Sequence, residues 1–313
     1  MLNGMKPPSR IELPRIEDRI SFLYAEQCRL EKDDGAVLIQ TNNGTISVPA
    51  GQLIVLMLGP GTTVTHRMVQ IAAEAGMQIV WCGEEGVRFY AGGSPLSGNT
   101  ELLLKQAAIV SNQRLRLAAA KRMYGIRYPN EDFTTSTTRQ LLGREGKRVT
   151  ERYYQLAREF DIQWKGRSYT PDEYDKNDPL QNALSCANAC LYGICYAVIY
   201  SLGLSPGLGI IHTGMAKSFV LDIADIYKEN ISFPVAFQVT AEGTYDLERR
   251  VRKTMRDIIK AKQLPQKIVK DIVIILNDPD ITQHLDESDN YLWAGRQTIV
   301  KGGTLYGNDS TQP

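Results

Sequence analysis

Three side chains that can bind a metal or move a proton lie close together in residues 209–228, GIIHTGMAKSFVLDIADIYK. His212 follows a short apolar run, and Asp222 and Asp225 stand in FVLDIADI, whose other members are apolar. A helix that starts near Ser218 places the two carboxylates three residues apart, on one face. A buried carboxylate is costly unless a proton, a cation or a metal neutralises it. The pattern therefore needs a physical reason.

Two interpretations of this stretch are open. In the first, a surface helix turns both aspartates to water, and His212 is a hydrogen-bonded core histidine. In the second, the three side chains converge on a metal. Neither the histidine nor the aspartate pair is distinctive alone. The combination of H-T-G with D-x-x-D makes a metal site a serious alternative, and the residue types leave both interpretations open.

Composition limits the class of protein. The 313 residues exceed the usual size of one core, which predicts two domains. Apolar residues make up 43% and charged residues 23%, and the net charge is +1, as in a globular protein. The five cysteines form no CxxC pair and accompany only three histidines, which argues against structural zinc. The start, MLNGMKPPSR, has no apolar run of the secretory kind, so we expect a cytoplasmic location with reduced thiols.

One segment has the composition of a membrane span, because residues 179–216 contain no Asp, Glu, Lys or Arg. Gln181, Asn182 and Asn188 interrupt it with amides. A helix that faces lipid carries fewer such groups. The sequence therefore predicts a central helix over 180–202 that is buried in protein, and we expect no association with a membrane.

The order of patterns predicts an α+β fold. Apolar alternation and turn residues from Arg19 to Tyr90 predict a meander of short strands, including ISFLYAEQCRL as one strand. After GGSPLSGNT the period is helical. We expect a β-rich, sandwich-like domain over 1–95, an all-α catalytic domain over 96–280 and a flexible tail over 281–313.

Two of the predicted helices have clear boundaries. Residues 100–128 read as one long helix. A second helix begins after a capping box formed by Thr137 and Gln140 and continues through REG, which contains Glu145.

A third helix, after Tyr245, carries a basic face. Seven basic residues and one acid lie between Arg249 and Lys262. Such a stripe suits a nucleic-acid backbone, although a solvated helix face has the same composition. Acids do not balance it, which favours the nucleic-acid interpretation. No aromatic residues interleave with it, so we expect contact with phosphates and not with bases. Its members at helical spacing are Arg249, Arg252, Lys253, Arg256 and Lys260.

Five motifs in this order, LLGREGKRV, ACLYG, IHTG, SFVLDIADIYK and RRVRKTMRD, resemble the integrase subunit of the CRISPR adaptation machinery, in the subtype that accompanies the Cascade effector. The resemblance covers nearly the whole chain. It implies that Glu145, His212 and Asp225 hold Mg²⁺ or Mn²⁺, with Asp222 as an essential acidic neighbour. Spacing alone does not separate Glu145 from Glu151 or Glu159.

The resemblance also implies an activity and partners. The expected enzyme inserts a prespacer duplex into the CRISPR array, because a 3′-hydroxyl attacks a phosphodiester at the edge of a repeat. The β-rich domain would form a homodimer, a small partner protein would bridge two dimers, and the tail would bind that partner. A metal-dependent nuclease of branched or single-stranded DNA, or a DNA-binding scaffold with structural acids, are the alternatives.

DNA contacts are implied at further positions. The chain departs from the family pattern at Met215 and Thr63, where relatives often carry a basic residue, so the DNA path is less well defined than the metal site. The residues expected to contact DNA are Arg88, Asn188, Tyr192, Lys228, Arg249, Arg252 and Arg256.

Overall fold

The computed structural model describes residues 22–53, 55–84, 89–93, 100–167, 178–281, 291–293 and 299–301. They fall into two compact units, one within residues 1–276 and one within 277–313. The first unit is β-rich at its start and helical afterwards, so the predicted α+β class is confirmed.

Two four-stranded sheets form the β-rich part, and helix α1 packs with them around one apolar core. Leu30, Val37 and Leu56 are fully buried there. The first sheet has the order β1-β5-β7-β8 and the second β4-β3-β2-β6. The strands and helix are β1 Phe22–Ala25, β2 Arg29–Asp33, β3 Ala36–Thr41, β4 Gly44–Pro49, β5 Val55–Leu58, β6 Thr63–Val64, α1 His66–Glu74, β7 Gln78–Cys82 and β8 Phe89–Gly93.

The predicted meander is confirmed for some of these strands and wrong for the others. Strands β2, β3 and β4 follow one another as antiparallel neighbours, and so do β7 and β8, whereas β1 with β5, β5 with β7 and β2 with β6 pair in parallel. ISFLYAEQCRL is not one strand either. Gln27 has a φ of 48°, and the break there sends β1 and β2 into different sheets. Local alternation does not reveal which distant strand is the neighbour.

Helices make up the rest of the first unit. The predicted long helix over 100–128 is wrong in one respect, because Asn112 divides it. Its backbone is extended, and its side-chain Oδ1 accepts the N–H groups of Arg114 and Leu115 at 2.9 and 3.2 Å as the cap of the next helix. The helices are α2 Glu101–Ser111, α3 Gln113–Arg127, α4 Thr138–Glu159, α5 Pro179–Ser201, α6 Ser218–Lys228, α7 Ser232–Ala241, α8 Leu247–Ala261 and α9 Leu264–Leu276.

Helix α5 is the axis of the helical part, and α6, α7, α8 and α9 all contact it. It is long and apolar enough to cross a membrane by length and composition, but 67% of its most apolar window is buried inside the protein. The predicted burial of this helix is therefore confirmed. Aromatic rings join its last turns to the β-rich part, since Phe89 stacks on Tyr196 with centroids 4.1 Å apart.

The second unit contains a short antiparallel pair, β9 Tyr291–Trp293 with β10 Ile299–Lys301. This pairing lies within the segment expected to be a flexible, partner-binding tail. The division at residues 95 and 280 and the role of the tail stay predictions.

Candidate active site

The loop before α6 is built around the Asp222 carboxylate. Asp222 is 1% exposed, and its two oxygens accept the main-chain N–H groups of Ile210, Ile211 and His212, the last at 2.8 Å. These bonds turn residues 210–212 around the start of α6. The surface-helix interpretation is wrong for this aspartate, because its negative charge is buried and compensated by fixed donors.

His212 receives a defined orientation from the same carboxylate. Its Nδ1 lies 2.8 Å from Asp222 Oδ1, and its Nε2 lies 3.8 Å from Asp225 Oδ2. The hydrogen bond to Asp222 raises the pKa of His212, and burial opposes this only in part. An imidazole that donates through Nδ1 presents Nε2 as an acceptor, which is the arrangement found in metal-binding histidines.

Asp225 lies one helical turn after Asp222 and is partly exposed. Its Oδ1 is 2.5 Å from the Lys228 ammonium, whose nitrogen also lies 4.9 Å from the centre of the Tyr192 ring. Burial is the largest single influence and would lower the pKa of Lys228. The charge of Asp225 and the interactions with Tyr192 together outweigh burial, so the pKa is raised and the lysine keeps its proton. Asp225 is thus paired with a cation at the mouth of the site.

Glu145 comes to the site on α4, whose start is fixed by the predicted capping box of Thr137 and Gln140. Its Oε2 accepts the Tyr124 hydroxyl at 2.5 Å, and its Oε1 accepts the guanidinium of Arg127. Burial is the largest single influence and would raise the pKa of Glu145. The charge of Arg127 and these hydrogen bonds outweigh it, so the pKa is lowered and the carboxylate stays ionised.

Two adjacent cavities share these acids. The smaller, of about 10 Å³, has Glu145, Asp222 and Asp225 in its wall and can hold one water-sized species. The larger, of about 590 Å³, also contains Glu145 and Asp225. Aromatic and basic side chains complete its lining, among them Tyr153, Tyr154, Trp164, Arg167, Tyr192 and Lys228. The structure therefore brings the predicted acids to one place from helices that are far apart in the chain.

The donor set suits a hard divalent ion, since it combines two carboxylates with an imidazole nitrogen. The side chains are turned to other partners, however. Across the described ranges, no group of three His, Cys, Asp or Glu side chains stands close enough to hold one ion. Arg127 and Lys228 instead neutralise Glu145 and Asp225. Metal binding at these residues stays a prediction.

The predicted DNA-contacting residues are placed in different ways. Asn188 and Tyr192 both line the larger cavity, but the Asn188 Oδ1 is buried and accepts the Ser232 hydroxyl at 2.7 Å. Lys228 stands beside Asp225. Arg88 lies outside the described residues.

The basic face of α8 is more balanced than the sequence indicated. Arg252 pairs with Glu248 at 3.1 Å, Arg249 with Asp246 at 3.6 Å, and Arg256 with Asp257 at 3.3 Å. The prediction that the stripe is unbalanced by acids is wrong at these positions, because Asp246 and Glu248 precede Arg249 in the chain and lie within about one turn of their partners. Val251 and Met255 are buried on the opposite face of α8, so these three arginines lie on its outer face.

Sequence reasoning missed several residues that hold the site. Gln106 bonds the main chain of Ser205 and Leu208, and Arg116 donates to the carbonyl oxygen of Ile210. Gly209 allows the loop to close on itself, because a Cβ there would lie 2.2 Å from the His212 carbonyl oxygen. Helix α7 and the partners of Glu145 were also missed. A charged or amide side chain with no local partner, such as Gln106 in an apolar run, is the only signal in the sequence.

The fold and site define a class in which a β-rich region precedes a helical region that carries acids and a histidine around α5 and α6. Comparison with known proteins agrees. The family model for CRISPR associated protein Cas1 matches residues 22–132 and 126–272. The chain belongs to the Cas1 family, which confirms the resemblance at the level of the family.

Named relatives align along most of the chain. A CRISPR-associated endonuclease Cas1 of Clostridium sp. (strain SY8519) is 38% identical over 302 residues, covering 95% of this chain and 99% of the relative. The same-named protein of Escherichia coli (strain K12) is 36% identical over 255 residues, covering 81% and 84%. A solved TtCas1-DNA complex has 38% identity and a TM-score of 0.78, with 85% of this chain and 99% of that chain covered.

Proposed function

We propose that this chain is a divalent-metal-dependent DNA integrase that inserts prespacer DNA into a CRISPR array. The observation that carries the proposal is the orientation of His212 by Asp222, which directs Nε2 toward Asp225 beside a cavity that Glu145 also lines. Family membership supports a nuclease or integrase role, and a relative of the same fold was solved with DNA.

In this proposal Glu145, His212 and Asp225 hold Mg²⁺ or Mn²⁺. A bound divalent ion supplies charge that stabilises the phosphoryl oxygens and lowers the pKa of the attacking hydroxyl. Asp222 does not touch the ion, because both of its oxygens already accept hydrogen bonds. The donors are the main-chain N–H groups of Ile210, Ile211 and His212 and the Nδ1 of His212. Its task is to keep Nδ1 of the imidazole protonated and Nε2 available.

The reaction is a transesterification. The prespacer 3′ oxygen loses its proton and forms a bond to phosphorus at the repeat edge, and the bond to the existing 3′ oxygen breaks, so that this oxygen takes a proton. Lys228 places a positive charge next to the site, and the aromatic walls of the larger cavity suit an unpaired nucleotide.

The proposal extends to the oligomeric state of the protein, its partner and its location in the cell. We propose a homodimer joined through the β-rich part, a small partner protein that bridges two dimers, and the Cascade-associated subtype. The resemblance of the motifs LLGREGKRV, IHTG and SFVLDIADIYK to that subunit supports this assignment. Five free cysteines and a DNA substrate support a cytoplasmic location.

A metal-dependent nuclease of branched or single-stranded DNA is the second candidate. It is favoured by one observation, since the relatives are described as endonucleases. The same side chains would serve hydrolysis if water replaced the 3′-hydroxyl.

The test is joining of a labelled duplex to a supercoiled plasmid that carries the repeat, with the small partner protein and Mn²⁺ present. Glu145→Ala and Asp225→Ala should each reduce joining at least about 100-fold, since each removes a charged group from the reacting centre. Glu151→Ala, on an exposed turn of the same helix, is the matched control and should join as the wild type does. Equal joining by all variants would remove the metal site. Cleavage that dominates and ignores the partner would favour the nuclease.

A further inference from the structure

A second buried carboxylate competes for the arginine that neutralises Glu145. The Arg127 side chain is only 6% exposed, and its two terminal nitrogens go to different acids, one to Glu145 and the other to Glu229. Glu229 directly follows α6 and is itself mostly buried. One cation therefore faces two carboxylates, and the three side chains together carry a net charge of −1.

Each carboxylate also has its own tyrosine. Tyr124 donates to Glu145 at 2.5 Å, and Tyr128 donates to Glu229 at 2.7 Å. The two acids are thus held in similar ways on opposite sides of Arg127. They differ in one respect, because Glu145 lines both cavities of the site and Glu229 lines neither.

The sharing of Arg127 matters when Glu145 binds another cation. A divalent ion at Glu145 competes with Arg127 for the same carboxylate. A guanidinium that already bonds Glu229 keeps a buried counter-charge when its bond to Glu145 weakens, which avoids the cost of an unpaired buried cation. Without the charge of Glu229, the attraction of Arg127 would fall on Glu145 alone.

We infer that Glu229 is a positioning residue that draws Arg127 away from Glu145 and so strengthens divalent-ion binding at the active site. The inference rests on the proposed function, because it assumes that Glu145 is a ligand. Glu229 is not a catalytic residue, since it acts only through Arg127.

The first experiment titrates the full-length protein with Mn²⁺ by calorimetry and by the electron paramagnetic resonance signal of the bound ion. Glu229→Gln keeps the size of the side chain and its capacity to accept from Tyr128, and should raise the Kd for Mn²⁺ about tenfold. Glu242→Gln removes an equal charge from the ion pair with Arg250, which lines neither cavity, and should change the Kd less than about twofold.

The second experiment shows whether Glu229 acts through Arg127. Arg127→Gln should bind Mn²⁺ more tightly than the wild type, and adding Glu229→Gln to it should change the Kd less than about twofold. If Arg127→Gln does not fold, Arg127→Lys replaces it, because one ammonium cannot hold both acids in the guanidinium geometry. The effect of Glu229→Gln should then fall below about threefold.

The outcomes separate this inference from the proposed function. If Glu145→Gln binds Mn²⁺ as tightly as the wild type does, the metal site itself is overturned. Binding that depends on Glu145 but is unchanged in Glu229→Gln would overturn only the role of Glu229. Equal weakening in Glu229→Gln and Glu242→Gln would also overturn it, because the effect would then be long-range charge alone.

Discussion

Helices α6 and α8 both carry charged side chains, but they use them in opposite ways. On α6, Asp222 is buried and accepts fixed donors from the preceding loop. On α8, Arg249 and Arg256 are exposed and pair with acids of their own helix or its cap. A buried charge with fixed partners defines geometry, which chemistry needs. An exposed charge with a nearby partner defines only a surface potential, which DNA binding needs.

The largest effect that can break this comparison is expected at Asp222. Asp222→Asn replaces one acceptor oxygen by an NH₂ group that meets main-chain N–H donors, so we expect a loss of about 3 to 5 kcal/mol in the free energy of unfolding. Urea denaturation measures it. Asp257→Asn removes a carboxylate of the exposed α8 face and should cost less than about 0.5 kcal/mol. Equal losses in the two variants would show that burial does not distinguish the helices.

How far the sequence reveals such sites depends on the distance between partners. The capping box of Thr137 and Gln140 and the burial of α5 were predicted correctly, because their signals lie within one element. The pairing of the parallel strands was not predicted, because no local pattern marks which strands are neighbours. The pair of Arg127 and Glu229 was not predicted either, because the two residues are 102 positions apart in the chain. Glu145 was identified only through resemblance.

A smaller effect is expected at the loop that Asp222 holds. Gly209→Ala would bring a Cβ within 2.2 Å of the His212 carbonyl oxygen and 2.7 Å of the Ser218 Cβ. The loop must shift, and we expect a cost of about 1 to 3 kcal/mol together with weaker Mn²⁺ binding. Gly125→Ala, in α3 with no atom within 4 Å of the new Cβ, is the matched control.

That control should stabilise the protein by up to about 1 kcal/mol, because alanine favours a helix. Thermal unfolding and a Mn²⁺ titration measure both variants. A Gly209→Ala protein that is as stable as the wild type and binds Mn²⁺ equally would show that the tight closure of the loop is not needed for the site.

The smallest effect is expected on α8. Arg252→Ala should weaken DNA binding by a similar factor for every sequence and reduce the salt dependence of log K by about one. Fluorescence anisotropy at several salt concentrations measures it. Arg250→Ala is the control, because Arg250 pairs with Glu242 and with the Gly243 carbonyl oxygen, away from the stripe. An unchanged salt slope in Arg252→Ala would show that the stripe does not contact DNA. Replacing both Arg249 and Arg256 by Glu should weaken DNA binding more than Arg252→Ala does.

The burial of α5 also has a consequence for biosynthesis. Four of the helices that cover it, α6 to α9, follow it in the chain, so the ribosome makes this apolar segment well before its cover. Until residue 276 has left the exit tunnel, the nascent polypeptide lacks the helices that cover this apolar stretch, and exposed apolar surface of this kind is prone to aggregation. Amides such as Gln181 and Asn182, early in that stretch, reduce its affinity for lipid during this interval.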